Sequence, residues 1–299
     1  MKRICIVLVF LLAFTTACST SANKEYPSKG VETPAAKIED MYMPSSPGTL
    51  IAQDPTGLAM IDYSNTDQGY ICAKRITDSP DVLKLAVSKG KEVYYYDLKK
   101  TDYESFPLQM GNGMYQFRIL KQKQGDQYAV MHSVDVDVKL ADAKLPYLYP
   151  SQYIDYTPES KAVKKAFALV KNDKTDLSRI YHIYNYVISH VKYDDQKAKD
   201  VADKFVLPII DETYVTNKGI CFDYTALLAA MLRSQQIPTR MITGYTSKEY
   251  HSWIEVWVKE KGWINPQVYF KKKIWNRIDP TFAAQGEEYD GEYKNRYVY

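Results

Sequence analysis

Gly219-Ile220-Cys221-Phe222-Asp223-Tyr224-Thr225-Ala226-Leu227-Leu228-Ala229-Ala230-Met231-Leu232-Arg233 sets a cysteine, with a glycine two residues before it, at the head of a run that is apolar on nearly every side. Such a run predicts a helix buried all round that starts at Cys221. At a helix N-terminus the unpaired N–H groups and the macrodipole favour thiolate over thiol, and the thiolate is the nucleophile. The competing reading is structural, because a free cysteine also packs as a small core hydrophobe. Residues further along the chain decide between the two.

After Ile237-Pro238 breaks the helix, residues 239–245 read as a strand. His251-Ser252-Trp253-Ile254-Glu255-Val256-Trp257-Val258 then alternates, with His251, Trp253, Glu255 and Trp257 on one face and Ile254, Val256 and Val258 on the other. His251 therefore begins a strand. Trp275-Asn276-Arg277-Ile278-Asp279-Pro280-Thr281 reads as a further strand whose parity groups Asp279 with Arg277 and Trp275. Neighbouring antiparallel strands would bring Asp279 beside His251. Acyl transfer needs these three residue types: a thiolate to attack a carbonyl, an imidazole to exchange protons, and a carboxylate to fix the imidazole. Singly each is weak, since a lone histidine is more often structural and an aspartate before proline is usually a turn residue.

Together the motifs are specific. Gly219-Ile220-Cys221-x-Asp223-Tyr224, Ile237-Pro238-x-Arg240-x-x-x-Gly244-Tyr245, His251-Ser252-Trp253-x-Glu255-Val256 and Asp279-Pro280-Thr281 resemble, in order and spacing, the successive motifs of the transglutaminase-like superfamily. The resemblance covers about residues 150–284. It implies a papain-like α/β core with a Cys-His-Asp triad, carried here by Cys221, His251 and Asp279. Two departures stand out: Ile254 follows His-x-Trp where many relatives have asparagine, and an insertion separates Trp263 from Asp279. Asn265, before Pro266, is the rival for the orienting position; Asp279 is preferred as the better motif match and the stronger partner for imidazolium. The N–H of Cys221 is a natural oxyanion donor at the helix start, and Tyr214 is assigned as a further support.

Upstream, Thr157-Pro158-Glu159 carries N-cap, first-position proline and first-turn acid, and predicts a helix to about residue 170. Leu177, Ile180, Tyr184, Val187, Ile188 and Val191 form a second helical stripe, with His182 and His190 off it and on the surface. Residues 48–145 alternate in short runs, 58–63, 70–76, 92–97, 113–120 and 128–138, punctuated by Gly, Asn, Asp and Pro. The expected fold class is thus α+β: an antiparallel β-sandwich-like domain over 48–145, then a catalytic domain over 150–299 with helices packed on an antiparallel sheet. Tyr94-Tyr95-Tyr96 fits half-buried strand positions better than a sugar-stacking surface, and His132, with no second histidine nearby, gives little support to a metal.

At the other end, Met1-Lys2-Arg3 and eleven apolar residues over 4–14 have the form of a secretion signal, too short to span a bilayer. Thr15-Thr16-Ala17-Cys18 resembles a bacterial lipobox, although Thr15 replaces the usual aliphatic residue. The expectation is cleavage after Ala17, lipidation of Cys18 by acyl chains such as palmitate, and anchoring on the extracytoplasmic face of the cell membrane; plain secretion is the alternative. Residues 18–47 read as a flexible tether, polar and with four prolines, reaching roughly 30 Å as a coil. With Cys5 and Cys18 so assigned, Cys72 and Cys221 remain, and both are expected free.

Lys+Arg and Asp+Glu balance at 39 against 36 for a net charge of +3, with no long basic run, so no nucleic-acid partner is expected. No metal, nucleotide or flavin motif is present, and no cofactor is expected. The reading is an exported thiol enzyme acting on amide bonds of protein or cell-envelope peptide substrates through a Cys221 thioester, with hydrolysis preferred. Protein crosslinking, in which an amine is the acceptor, and a non-catalytic surface scaffold are the alternatives.

Overall fold

Alternation of apolar and polar residues builds the first half of the chain into two four-stranded antiparallel sheets. In the computed structural model, which describes residues 30–202, 204–246, 250–259, 261–266 and 293–299, β1 (Ile51–Gln53), β2 (Ala59–Asp62), β3 (Tyr70–Arg75) and β6 (Glu104–Pro107) form one sheet. The other runs β5 (Glu92–Leu98), β4 (Leu83–Lys89), β7 (Gly113–Gln124) and β8 (Gln127–Val138) in space. Ile61, Ile71, Ala73 and Phe106 from the first sheet share a core with Leu85, Val87, Tyr96, Phe117 and Ile119 from the second. Tyr94 and Tyr96 point inward while Tyr95 between them is exposed, as the pleat requires. Buried carboxylates hold two turns of the first sheet: Asp62 accepts from the Ser46 and Ser64 hydroxyls and from the N–H groups of Gly48 and Ser64. Burial alone would raise that carboxyl, but these donors outweigh it and hold Asp62 below its ordinary value.

Three strands of this half lie outside the runs read from the sequence. β1 is a three-residue edge strand. β4 lies between β5 and β7 with Leu83, Leu85 and Val87 buried on one face, while on the other buried Ala86 interrupts half-buried Lys84 and Ser88. β6 is a four-residue edge strand ending on Pro107.

The second half begins with α1 (Lys161–Leu169), three residues later than the sequence predicts. Thr157-Pro158 lies outside the helix, whose first N–H groups, those of Lys161 and Ala162, donate to the Asp211 carboxylate at 2.9 and 3.0 Å. The cap thus comes from another helix, a long-range contact that a local cap motif does not encode. α2 (Asp176–His190) starts in a Thr175/Ser178 capping box and buries Leu177, Ile180, Ile183, Tyr184 and Val187. His190 is exposed, and half-buried His182 lies 2.7 Å from the Asp173 carboxylate.

α3 (Asp195–Asp200), α4 (Ile210–Thr216) and α5 (Cys221–Arg233) follow, with a two-residue parallel bridge joining β9 (Lys192–Tyr193) to β10 (Lys218–Gly219). α1, α2 and α4 pack around α5, which is buried at every position from Asp223 to Arg233. Its remaining side meets an antiparallel sheet ordered β13 (Gly262–Ile264), β12 (Tyr250–Val258), β11 (Thr239–Thr246), β14 (Tyr293–Val298). The last described residues thus form the edge strand β14, while the strand expected over 275–281 lies outside the described residues. The α+β class read from the sequence is the one observed.

Arg233, fully buried at the end of α5, fastens these parts together. Its guanidinium donates to the main-chain oxygens of Thr239 (3.0 and 2.8 Å), Tyr149 (2.7 Å) and Tyr299 (3.0 Å). Three separated stretches of chain solvate one buried cation, and burial pushes it down to about 10.

Candidate active site

Cys221 is the first residue of α5, half-exposed and free of any disulfide. The backbone before it is extended at Ile220. Gly219 is tightly enclosed: a Cβ there would lie 2.6 Å from the Cβ of Asp223. No side chain fits without a shift, so the sequence signal at Gly219 reports the closeness of the helix's own first turn. Asp223 uses that closeness to accept from the Ile220 N–H at 2.9 Å, closing the helix start.

A second partner of Asp223 was not foreseen. The Lys197 ammonium lies 2.9 Å from both of its carboxylate oxygens, and Asp223 is buried while Lys197 is about a quarter exposed. α3 presents Lys197 because Asp194 caps that helix, accepting from the Lys197 N–H at 2.9 Å, while the Asp194 N–H donates to Gly219 at 3.0 Å. The carboxylate in the first turn of the Cys221 helix therefore has its counter-ion beside it, and adds no uncompensated negative charge next to Cys221. The pair joins residues 26 apart, across the segment that holds α3 and α4. The same segment also supplies Phe205, two-thirds exposed, whose ring sits 5.8 Å from that of Phe222, the residue after Cys221. Tyr153 completes this aromatic group, 5.9 Å from Phe222 and stacked on Tyr299 at 4.2 Å.

His251 is the second residue of β12, buried, and paired with Gly244 of β11. Gly244 is also obligatory, since a Cβ would fall 2.1 Å from the Lys294 carbonyl of β14 and 2.9 Å from the Trp253 ring. β14 shifts register at this point, between Thr243 and Gly244. The strand start that carries His251 is thus braced by two elements packed against one glycine.

Helix and strand are joined by a short polar link. Thr225, one turn into α5, places its hydroxyl 2.9 Å from the Cys221 carbonyl and 2.7 Å from the hydroxyl of Ser252, the neighbour of His251. The Cys221 end of the helix and the His251 end of the strand therefore meet at a two-hydroxyl contact. Asp279 lies outside the described residues, as does Cys18. Asn265 follows β13, whose register (Val256 with Ile264, Val258 with Gly262) puts the next position opposite Glu255. That is four residues along from His251, about 13 Å at strand rise. Tyr214 stands on α4 with its ring 6.5 Å from Tyr186 of α2.

Cys72 provides a contrast within the same chain. It is buried on β3, and burial, with Asp62 nearby, pushes its thiol up to about 12. Among the described residues no three His, Cys, Asp or Glu side chains gather as a metal site.

Comparison with known proteins bears on the same region. A family model described as the transglutaminase-like superfamily matches residues 163–268, a span that holds Cys221 and His251 and stops short of Asp279. Among curated proteins, the uncharacterized protein YebA of Bacillus subtilis is 33% identical over 86 residues, 21% of this chain and 12% of that one. Protein-glutamine gamma-glutamyltransferase of Pseudomonas aeruginosa is 28% identical over 91 residues, 26% and 12% of the two chains. The match thus spans 12% of the length of either relative. Of solved structures, a candidate cysteine protease from Cytophaga hutchinsonii aligns with TM-score 0.38 and 20% identity over 69% of this chain and 67% of that one. Red sea bream transglutaminase aligns with TM-score 0.28 and 13% identity over 76% and 56%. Residues 163–268 of this chain, which include Cys221 and His251, are thus similar to the transglutaminase-like superfamily.

Proposed function

We propose that the chain is a thiol acyl-transfer enzyme acting on carboxamide bonds of protein or cell-envelope peptides. The observation that carries this is the meeting of the Cys221 helix start with the His251 strand start through Thr225 and Ser252. Cys221, as thiolate, attacks the carbonyl carbon; the C–S bond forms as the C–N bond breaks, and His251 gives the departing amine its proton. The acyl group is then a thioester on Cys221. His251, now neutral, takes a proton from water as the water oxygen attacks, and the C–S bond breaks to release the acid and restore the thiol. Helix geometry leaves the Cys221 N–H without an intrahelical acceptor, which suits it to the oxyanion. Asp279 is assigned to orient the imidazole and Tyr214 to support the oxyanion.

Hydrolysis is the preferred outcome, because no feature marks a binding site for an acceptor lysine. Transfer to an amine is the second reading, favoured by the similarity to the Pseudomonas aeruginosa protein-glutamine gamma-glutamyltransferase. The rest of the proposal follows the N-terminal sequence: export, a lipid on Cys18 and a tether that holds the enzyme off the membrane surface. A glutamine-containing protein, incubated with the enzyme and a labelled primary amine, separates the readings. Cys221-dependent cleavage or ammonia release without label supports hydrolysis; efficient Cys221-dependent labelling assigns crosslinking. Neither reaction from any carboxamide, with Cys221 no more reactive than in the His251→Ala variant, would leave a scaffold.

A further inference from the structure

We infer that Thr225 and Ser252 are positioning residues: their hydroxyl–hydroxyl bond fixes the sliding register between the Cys221 helix and the His251 strand. This rests on the proposed Cys221–His251 pair and goes beyond it, because neither hydroxyl touches a reacting atom.

Their surroundings are largely apolar: Ala226, Leu227, Leu228 and Ala229 of α5 and Ile254 and Val256 of β12 are all within 1% of full burial. Apolar contacts of this kind are not directional, so a helix packed on a sheet through them alone tolerates small translations. Thr225 and Ser252, 0% and 2% exposed, join this contact by a hydroxyl–hydroxyl hydrogen bond at 2.7 Å. A bond at that length with both partners buried is lost steeply by misalignment, and a lone buried hydroxyl is costly.

The proton count sharpens the point. Thr225 lies within reach of the Cys221 carbonyl (2.9 Å), the Phe222 carbonyl (3.1 Å) and Ser252, and Ser252 within reach of the Ile242 carbonyl (3.2 Å). The two hydroxyls have two protons, and one of them is used between the pair. Either Ser252 donates to Thr225, which donates back into the first turn at Cys221 or Phe222, or Thr225 donates to Ser252, which donates on to Ile242 of β11. In both arrangements the pair is satisfied only while the helix start and the strand start stay in register. Removing either hydroxyl leaves the other bonded only within its own layer, Thr225 to the first turn of α5 or Ser252 to Ile242, and frees the two elements to shift where the thiol and imidazole must meet.

The test is the rate of Cys221 alkylation by iodoacetamide near neutral pH in the full chain, followed by mass on the Cys221 peptide, with folding checked by thermal melts. Thr225→Val and Ser252→Ala should each slow alkylation roughly tenfold, less than the ~100-fold a 1 Å misplacement costs. Thr225→Ser should restore the rate to within about threefold, and the double variant should be no slower than the singles, as expected for one shared interaction. Against His251→Ala, Thr225→Val should have no further effect. Overturning results are a Thr225→Val rate within about twofold of wild type, or a loss of the same size in the His251→Ala background. If Thr225→Val does not fold, Ser252→Ala carries the same comparisons. Should His251→Ala itself leave the wild-type rate unchanged, the Cys221–His251 pair fails, and that outcome is distinct from a pair that holds while Thr225 proves indifferent.

Discussion

Lys197 and Asp223 show how much of the site depends on contacts that only folding creates. Asp223 is two residues from Cys221, buried, and bonded both to the Ile220 N–H and to the Lys197 ammonium. Removing the ammonium strands a carboxylate in the first turn of α5. Lys197→Met is expected to cost about 1–3 kcal/mol of stability, the range for hydrogen bonds to charged groups, and to slow Cys221 alkylation. Asp223→Asn in that background should recover part of both losses, read by urea unfolding and by alkylation. The two thiols supply a second residue-scale prediction. Cys72, held up near 12 by burial, should remain unmodified in the folded protein under conditions that alkylate Cys221, and should react only after denaturation. Cys221, Asp223 and Gly219 were legible as a motif, Gly219 standing two residues before the cysteine. What it approaches, the Asp223 side chain, and what Asp223 then holds could not be read, because Lys197 reaches it across 26 residues.

Elements whose burial follows a local period were readable. β12 alternates because one face meets α5 while Glu255 and Trp257 face Arg240 and Trp263; α2 was plain for the same reason, and α5 for its unbroken apolar run. β4 and the true start of α1 were not, since buried Ala86 interrupts the polar face of one and the other takes its cap from Asp211. At this scale the most sensitive point is Gly244. A methyl there meets the Lys294 carbonyl and the Trp253 ring, so Gly244→Ala should destabilise by about 1–3 kcal/mol, as overpacking does. It should also loosen β14 from β11 and lower Cys221 reactivity beyond what stability alone predicts. Hydrogen exchange at the β11–β14 ladder, set against alkylation, checks both.

Across the whole molecule, one apolar cluster runs from the two N-terminal sheets through the helices to Tyr299, and Arg233 ties Tyr149, Thr239 and Tyr299 around a single charge. Arg233→Met leaves three main-chain oxygens without that donor and should cost several kcal/mol, of the order of 3–5 for a broken buried polar network, seen as a lower melting temperature. Acid stability should be governed partly by the N-terminal sheets. Asp54 and Asp62 are held below their ordinary values, hydrogen bonding outweighing burial, so their contribution is complete above the unfolded carboxyl range near ~4 and is lost as pH falls through the folded values. Asp62→Asn should lower stability at neutral pH and flatten its fall between about pH 5 and 2, measured as urea midpoints. This coupling of the halves was beyond the sequence, which marks a change of pattern near Pro146-Pro150 but not what crosses it.

The central claim is that His251 activates Cys221. Its most direct test is the second-order rate of Cys221 alkylation by iodoacetamide near pH 7 in wild type and in His251→Ala, both shown to be folded. A fall of at least about tenfold is predicted, the lower end of what a positioned acid–base group contributes being ~100-fold in the full reaction. Equal rates in the two proteins would contradict the account.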